Sequence, residues 1–149
     1  MLIPADVLTY RARATTYSGD RGPWLEHLVE DEGVPLEQAV EMLANWECIP
    51  YVDPVHGHMA TLIKRNKEVH FAAYRRFRHR SHITPKRLRE FFQPILDKEI
   101  FLVTKLAVGA DDARFIQHLG FQELGVTLDG EIQTYILNEI RYPRTSQCK

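Results

Sequence analysis

The spacing of apolar residues switches between helical and extended periods several times along this chain, and these switches limit the fold more than any other feature. Residues 7–16 are rich in β-branched and aromatic side chains and predict a first strand. Residues 24–29 and 36–46 then carry apolar side chains at every third or fourth position, which is typical of amphipathic helices. The chain therefore begins with the order strand, helix, helix.

Extended segments follow the two helices. Residues 49–52, 58–64 and 69–77 have the composition of strands, and turn-rich segments separate them. Because the connections are short, we predict that the three segments form an antiparallel meander.

Helices and strands alternate in the remaining part of the chain. Thr84 is suited to cap a helix with Pro85 at its first position, and Pro94 is expected to kink or end that helix. Gly120 is expected to end a later helix. The other predicted elements are a strand at residues 100–108, a helix start at Asp111 or Asp112, and a hairpin of residues 121–127 and 132–140.

This order of elements predicts an α+β fold in one domain, residues 1–149, with a mixed and mostly antiparallel sheet flanked by four helices. A length of 149 residues suits a single core. No apolar run approaches the roughly 20 residues of a membrane helix, and the first residues lack the pattern of a secretory signal. We therefore expect a cytoplasmic protein with no membrane partner, in which Cys48 and Cys148 are reduced thiols.

The charged residues are segregated into two blocks that the overall net charge of −1 conceals. Residues 20–53, the acidic block, contain nine acids and one base, whereas residues 64–89, the basic block, contain ten bases and one acid. Such a concentration of positive charge predicts an anionic ligand or partner. The alternative is that the two blocks neutralise each other within the fold or in a dimer.

The last third of the chain resembles the GNAT superfamily of N-acetyltransferases. The matching features are the segment ARFIQHLGFQELG at residues 113–125, the Asp-Gly-Glu turn at residues 129–131, and the strand that carries Tyr135. The order of elements along the chain is similar as well. The resemblance implies a GNAT-like acyl-CoA N-acyltransferase fold and transfer of an acetyl group from acetyl-CoA to an amine. The alternative is an inactive relative with an assembly or interaction role, because the glycines of the family's pyrophosphate motif and its usual tyrosine acid are absent here. Divergent GNAT-like domains of this size also resemble proteins of bacteriophage structural gene clusters.

The resemblance places the coenzyme pyrophosphate on the turn between the meander and the next helix. The arginine of the family motif corresponds to Arg80, and its two small residues correspond to Ile83 and Pro85. Lys86 and Arg87 crowd the positive end of the helix dipole, an unfavourable arrangement that a bound anion reverses. The residues that we expect to bind acetyl-CoA are Phe77, Arg78, His79, Arg80, Ser81, His82, Ile83, Thr84, Lys86 and Arg87.

His70, on the last strand of the meander, is the candidate general base, because an imidazole titrates near neutral pH and the family sometimes places its base there. A strand histidine that faces solvent is the alternative interpretation. The family usually has a tyrosine acid at the position of Ile116, so Tyr135 or Tyr142 is the candidate replacement. The acidic block would suit a cationic amine substrate or a protein partner.

The sequence disfavours two other kinds of site, a metal site and a nucleic-acid surface. His56 and His58 lie two positions apart, but no third residue has the spacing of a metal ligand, and we expect no metal. The run of aromatic and basic residues at 74–80 has the composition of a surface for single-stranded nucleic acid. Strand alternation would leave few of its aromatic rings exposed, so we do not expect nucleic acid as a partner.

Overall fold

The computed structural model describes residues 17–78 and 83–142 of the chain. The predicted strand at residues 7–16 lies outside these ranges. The helices are α1 (Gly22–Glu26), which a π-helical turn continues (His27–Asp31), α2 (Leu36–Leu43), α3 (Pro85–Glu99) and α4 (Asp112–Leu119). The strands are β1 (Glu47–Asp53), β2 (Gly57–Arg65), β3 (Glu68–Ala73), β4 (Leu102–Ala107), β5 (Gln122–Val126) and β6 (Ile132–Leu137).

The six strands form a mixed sheet in the order β1-β2-β3-β4-β6-β5. Strands β1 and β2, β4 and β6, and β5 and β6 pair in antiparallel fashion, whereas β3 pairs with β4 in parallel. In the register, Glu68 lies opposite Val103, and Leu102 lies opposite Leu137. The predicted α+β architecture with a mostly antiparallel sheet and four helices is therefore confirmed.

The chain divides into two compact units. In its described part, the first unit comprises residues 17–65 and 71–78, and the second comprises residues 66–70 and 83–142. The first unit packs the apolar faces of α1 and α2 around one cluster, as their helical periodicity predicts. The buried members of that cluster are Tyr17, Leu25, Leu28, Ala39, Leu43 and Ile63.

In the second unit, α3 buries Leu88, Phe92 and Leu96, which recur at intervals of four residues. Phe92 makes an edge-to-face contact with Phe121, with ring centroids 6.4 Å apart. In the part of the chain that the structure describes, no helix is long and apolar enough to cross a membrane.

The predicted start of α3 and the predicted end of α4 are confirmed. Thr84 Oγ1 accepts a hydrogen bond from the Arg87 backbone N–H at 3.3 Å, and Pro85 is the first residue of α3. Gly120 ends α4 with a φ of 131°. Asp111 occupies the N-cap position of α4, but its side chain makes no capping hydrogen bond.

The predicted limits of two strands are wrong. β3 ends at Ala73 and a 3₁₀ turn occupies Arg75–Phe77, where a continuous strand was expected, because the Glu26 carboxylate accepts from the Arg75 N–H. The strand predicted at 100–108 begins only at Leu102, since Ile100 caps α3 with a φ of 76°. Pro94 was expected to kink or end α3; it does not end the helix, which continues to Glu99 with one backbone hydrogen bond fewer because proline has no N–H.

A buried polar network ties β2 to the residues before α1. Thr61 is fully buried, and its hydroxyl donates to the Asp20 carbonyl at 2.5 Å. The only hydroxyl hydrogen is used there, so His58 Nε2, 2.7 Å from the same oxygen, donates to it. Burial lowers the pKa of His58, although the Ala60 backbone and the Asp20 charge oppose that shift.

We expect this network to weaken in acid. The pKa of folded His58 lies below the unfolded value of about 6.5, so the unfolded chain binds more protons. Stability that is present at pH 7 should therefore fall as the pH drops through 6.5 toward the lower folded value. Denaturant unfolding at pH 7.5 and pH 5.5 measures the effect, and His58→Gln is expected to reduce the difference. An equal pH dependence in wild type and variant would contradict this account.

Candidate functional site

The candidate base His70 is joined to a carboxylate in the second unit. Its Nε2 lies 2.6 Å from Glu68 Oε2, and both side chains are about one-quarter exposed. Because side chains two positions apart on a strand share a face, β3 brings this pair together locally. Lys105 Nζ on β4 lies 3.9 Å from Glu68 Oε1. The arrangement gives His70 a charged partner that also contacts the neighbouring strand.

The start of α3 carries the second group of predicted residues. Lys86 and Arg87 are exposed in the first turn of this 15-residue helix, which has no acidic residue there. Thr84 occupies the N-cap, and Ile83 is buried just before it. The first turn therefore combines two cations with the positive end of the helix dipole, as an anion site requires.

A cavity of about 320 Å³ lies beside this turn, between α3 and α4. Arg89 is held at its edge because Nε donates to the Arg141 carbonyl at 2.8 Å. The cavity has apolar walls with cationic or titratable groups at two points, which suits a ligand with an apolar part and an anionic part. This cavity is called the α3–α4 cavity below. It is lined by Ile83, Pro85, Leu88, Arg89, Phe115, His118 and Leu119.

Arg78 and Phe77, two of the residues predicted to bind acetyl-CoA, belong to the first unit. Arg78 pairs with Asp31 of the acidic block, and Phe77 contacts His56, which follows that block in sequence. Arg78 Nη2 lies 2.6 Å from Asp31 Oδ2, and Arg75 Nη2 lies 2.9 Å from Asp31 Oδ1. Burial opposes ionisation of Asp31, but hydrogen bonds from Arg78 and His27 and the two arginine charges lower the pKa of its carboxyl. Within the first unit, the acidic and basic blocks therefore neutralise each other in part.

The aromatic and basic run makes internal contacts as well. The Arg76 guanidinium lies 5.1 Å from the ring centroid of Tyr74 and 4.8 Å from that of Phe77. Phe77 also contacts the His56 ring at 5.7 Å. These contacts engage the two aromatic side chains that nucleic-acid binding would need for stacking, so the structure adds no support to that hypothesis.

Solved structures share this arrangement of strands and helices. A protein described as a phosphinothricin N-acetyltransferase matches with a TM-score of 0.53 and 18% identity, over 80% of this chain and 90% of that chain. The chain has the GNAT N-acetyltransferase fold. Ribosomal-protein-S5-alanine acetyltransferase from Vibrio fischeri matches with a TM-score of 0.51 and 14% identity, over 96% of this chain and 94% of that chain.

A third GNAT-fold structure, ribosomal-protein-S18-alanine N-acetyltransferase from Escherichia coli, gives a TM-score of 0.50. Its identity is 13%, over 76% of this chain and 81% of that chain. No protein-family model and no curated protein sequence matches the chain. At these identities the comparisons establish the fold, and the chemistry has to be argued from the side chains.

The candidate acids of the GNAT fold occupy different surroundings. Tyr135 on β6 is buried, and burial together with the Glu123 charge raises the pKa of its hydroxyl. Tyr142 is exposed, and its hydroxyl donates to Gln93 Oε1 at 2.7 Å. Ile116, at the usual tyrosine position, is half-buried on α4. Tyr135 therefore carries its proton at neutral pH, the form that a general acid needs, and its raised pKa makes it a weaker proton donor than an exposed tyrosine.

His56 and His58, the two histidines with the spacing of metal ligands on a strand, have separate partners. His56 Nδ1 lies 3.3 Å from Asp53 Oδ1, whereas His58 contacts Thr61. Among residues 17–78 and 83–142, no group of three or more side chains of the ligating types is placed to hold a metal ion. Four of the residues predicted to bind acetyl-CoA lie outside the described ranges, namely His79, Arg80, Ser81 and His82.

Some residues of the site were missed at the sequence level. Glu68 is the single acid of the basic block and was not predicted to belong to the site. Its position two residues before His70 on a strand nevertheless predicts that the two side chains lie on the same face of the sheet. Phe115 and Leu119 were assigned only to a helix, and their spacing of four residues indicates a common side of α4. Which structure that side faces is a tertiary property, visible only in the lining of the α3–α4 cavity.

Proposed function

We propose that this protein is an N-acetyltransferase that transfers an acetyl group from acetyl-CoA to a cationic amine. The observation that carries the proposal is the likeness of its fold to solved N-acetyltransferases over at least three-quarters of the chain. Exposed acidic residues on and near α2, such as Glu32, Glu37 and Glu41, support a cationic acceptor.

Within this proposal, the first turn of α3 holds the coenzyme pyrophosphate. The positive end of the α3 dipole and the Lys86 and Arg87 side chains supply positive charge, where the family motif relies on small residues that let the backbone approach the phosphates. The α3–α4 cavity offers apolar walls beside that turn for a neighbouring part of the coenzyme. The residues present therefore fit an anionic ligand of the coenzyme A type.

His70 acts as the general base in the proposed reaction. The imidazole takes one proton from the ammonium group of the acceptor, and the nitrogen lone pair that this frees forms a bond to the thioester carbonyl carbon. The carbon–sulfur bond then breaks, and coenzyme A leaves as a thiolate that takes up the second proton, which the nitrogen loses as the amide forms. The structure supports this role by placing the imidazole in a half-buried position with a carboxylate partner.

Calorimetric titration with acetyl-CoA at moderate salt tests the proposal. We expect saturable binding, and we expect the double variant Lys86→Glu/Arg87→Glu to weaken it by about tenfold or more, since two attractive charges become repulsive. Acidic residues are favourable in the first turn of a helix, so the variant should remain folded.

Lys98→Glu is the matched control, because it reverses a charge in the last turn of the same helix. The affinity of this variant for acetyl-CoA should stay within about twofold of wild type, because residue 98 lies roughly 17 Å along the helix from the first turn. An absence of binding heat at millimolar acetyl-CoA would refute the coenzyme proposal. Equal weakening by the double variant and the control would remove the first turn of α3 from the site.

A further inference from the structure

We propose that Glu68 is a positioning residue that orients the His70 imidazole for proton transfer. The inference rests on the proposed function, because it assigns a task to a neighbour of the candidate base. It draws on two observations in the second unit, the short Glu68–His70 contact and the partial burial of both side chains.

The short contact determines which ring nitrogen carries hydrogen. A carboxylate only accepts hydrogen bonds, so the nitrogen 2.6 Å from Glu68 Oε2 must be a donor. Neutral His70 is therefore the tautomer with hydrogen on Nε2, and its basic nitrogen is Nδ1. The proposal thus assigns proton acceptance from the amine to a single atom, His70 Nδ1.

The carboxylate also contributes after the proton has moved. An imidazolium is then formed, and a negative charge 2.6 Å away stabilises it. Both side chains are less than one-quarter exposed, so water screens this attraction less than it would at an open surface. Glu68 therefore favours the state that follows proton transfer, and its loss should lower kcat more than it raises KM.

Lys105 contacts the carboxylate from the neighbouring strand without determining its position. Its Nζ lies 3.9 Å from the second Glu68 oxygen, and its side chain is about half exposed. Because an exposed pair of this length contributes little, the position of Glu68 is set mainly by β3 and by His70. Lys105 therefore offers a control that removes a partner of Glu68 and leaves the Glu68–His70 contact in place.

The test compares Glu68→Ala, Glu68→Gln and Lys105→Ala in the full chain. Steady-state kinetics with acetyl-CoA and an amine give kcat and KM, and ¹⁵N NMR of the imidazole, assigned with His70→Ala, reports which nitrogen carries hydrogen. We expect Glu68→Ala to lower kcat about tenfold or more at nearly constant KM for acetyl-CoA, and to shift the His70 ¹⁵N signals. Glu68→Gln, whose amide oxygen still accepts from Nε2, should fall between wild type and Glu68→Ala.

Lys105→Ala should keep kcat within about twofold and leave the His70 signals in place, since it breaks only an exposed ion pair. If Glu68→Ala leaves the His70 ¹⁵N signals unchanged, or lowers kcat no more than Lys105→Ala does, the positioning role is overturned. Unchanged kcat in His70→Ala would instead refute the base and its positioning residue together. Absence of acetyl-CoA binding would refute the proposed function, and the NMR comparison would still decide whether Glu68 orients His70.

Discussion

Replacing Gly120 by alanine is expected to lower the free energy of unfolding by about 4 kcal/mol. Gly120 ends α4 with a φ of 131°, which side chains rarely tolerate. A Cβ at this position would overlap the Glu139 carbonyl oxygen and would lie 3.0 Å from the Arg141 backbone nitrogen and 3.1 Å from Leu137 Cδ1. Two of these three atoms are backbone, so a side-chain rotation cannot relieve the overlap.

Gly109→Ala is the control for the backbone strain alone. Gly109 has a φ of 83°, and a Cβ there would meet no atom within 4 Å. We expect this variant to lose about 1 kcal/mol, which is the cost of the left-handed conformation without a collision. Urea unfolding of both variants gives the comparison. Equal losses would show that α4 and the chain near Glu139 separate easily, contrary to the packing seen here.

Replacing Gly22 by alanine is the second large effect, and we expect it to cost about 3 kcal/mol. Gly22 opens α1 with ordinary helical backbone, but a Cβ there would overlap the Tyr74 hydroxyl and the Tyr17 carbonyl. These two groups are joined by a hydrogen bond of 2.8 Å. The added methyl group would therefore force apart a bonded pair that connects residues far apart in sequence.

A double-mutant cycle with Tyr74→Phe tests this explanation. Tyr74→Phe alone removes the hydrogen bond and should cost about 1 kcal/mol. Combined with Gly22→Ala it also removes one of the colliding atoms, so the double variant should be more stable than the sum of the two losses predicts, by about 1 kcal/mol. Strict additivity would mean that the Tyr74 hydroxyl does not cause the clash. Gly125→Ala, where a Cβ meets no atom within 4 Å, is the unstrained control.

Features that depend on neighbouring residues were predictable from the sequence. Thr84 and Pro85 begin α3 as expected, since a cap is formed by a side chain and an N–H only three residues away. Gly120 ends α4 for an equally local reason, its positive φ. The pairing of Glu68 with His70 belongs to this group as well, because strand alternation alone places the two side chains on one face.

Features that depend on distant partners were not predictable. The expected strand at residues 69–77 stops at Ala73 because Glu26, far away in sequence, binds the Arg75 N–H. Arg78 was expected at the coenzyme, and its pairing with Asp31 follows only from the way α1 and the 3₁₀ turn come together. Nothing in the local pattern of either segment specifies that partner.

By itself, the sequence determined the order of helices and strands, the α+β class, the likeness to the GNAT fold and the segregation of charge into two blocks. Hydrophobic period, caps and turn residues act over a few positions, so a reader of the chain can apply them directly. Only the tertiary structure decided which opposite charges meet. Because charges interact through space, Arg75 and Arg78 both form ion pairs with Asp31, and Lys86 and Arg87 lie exposed at the positive end of α3.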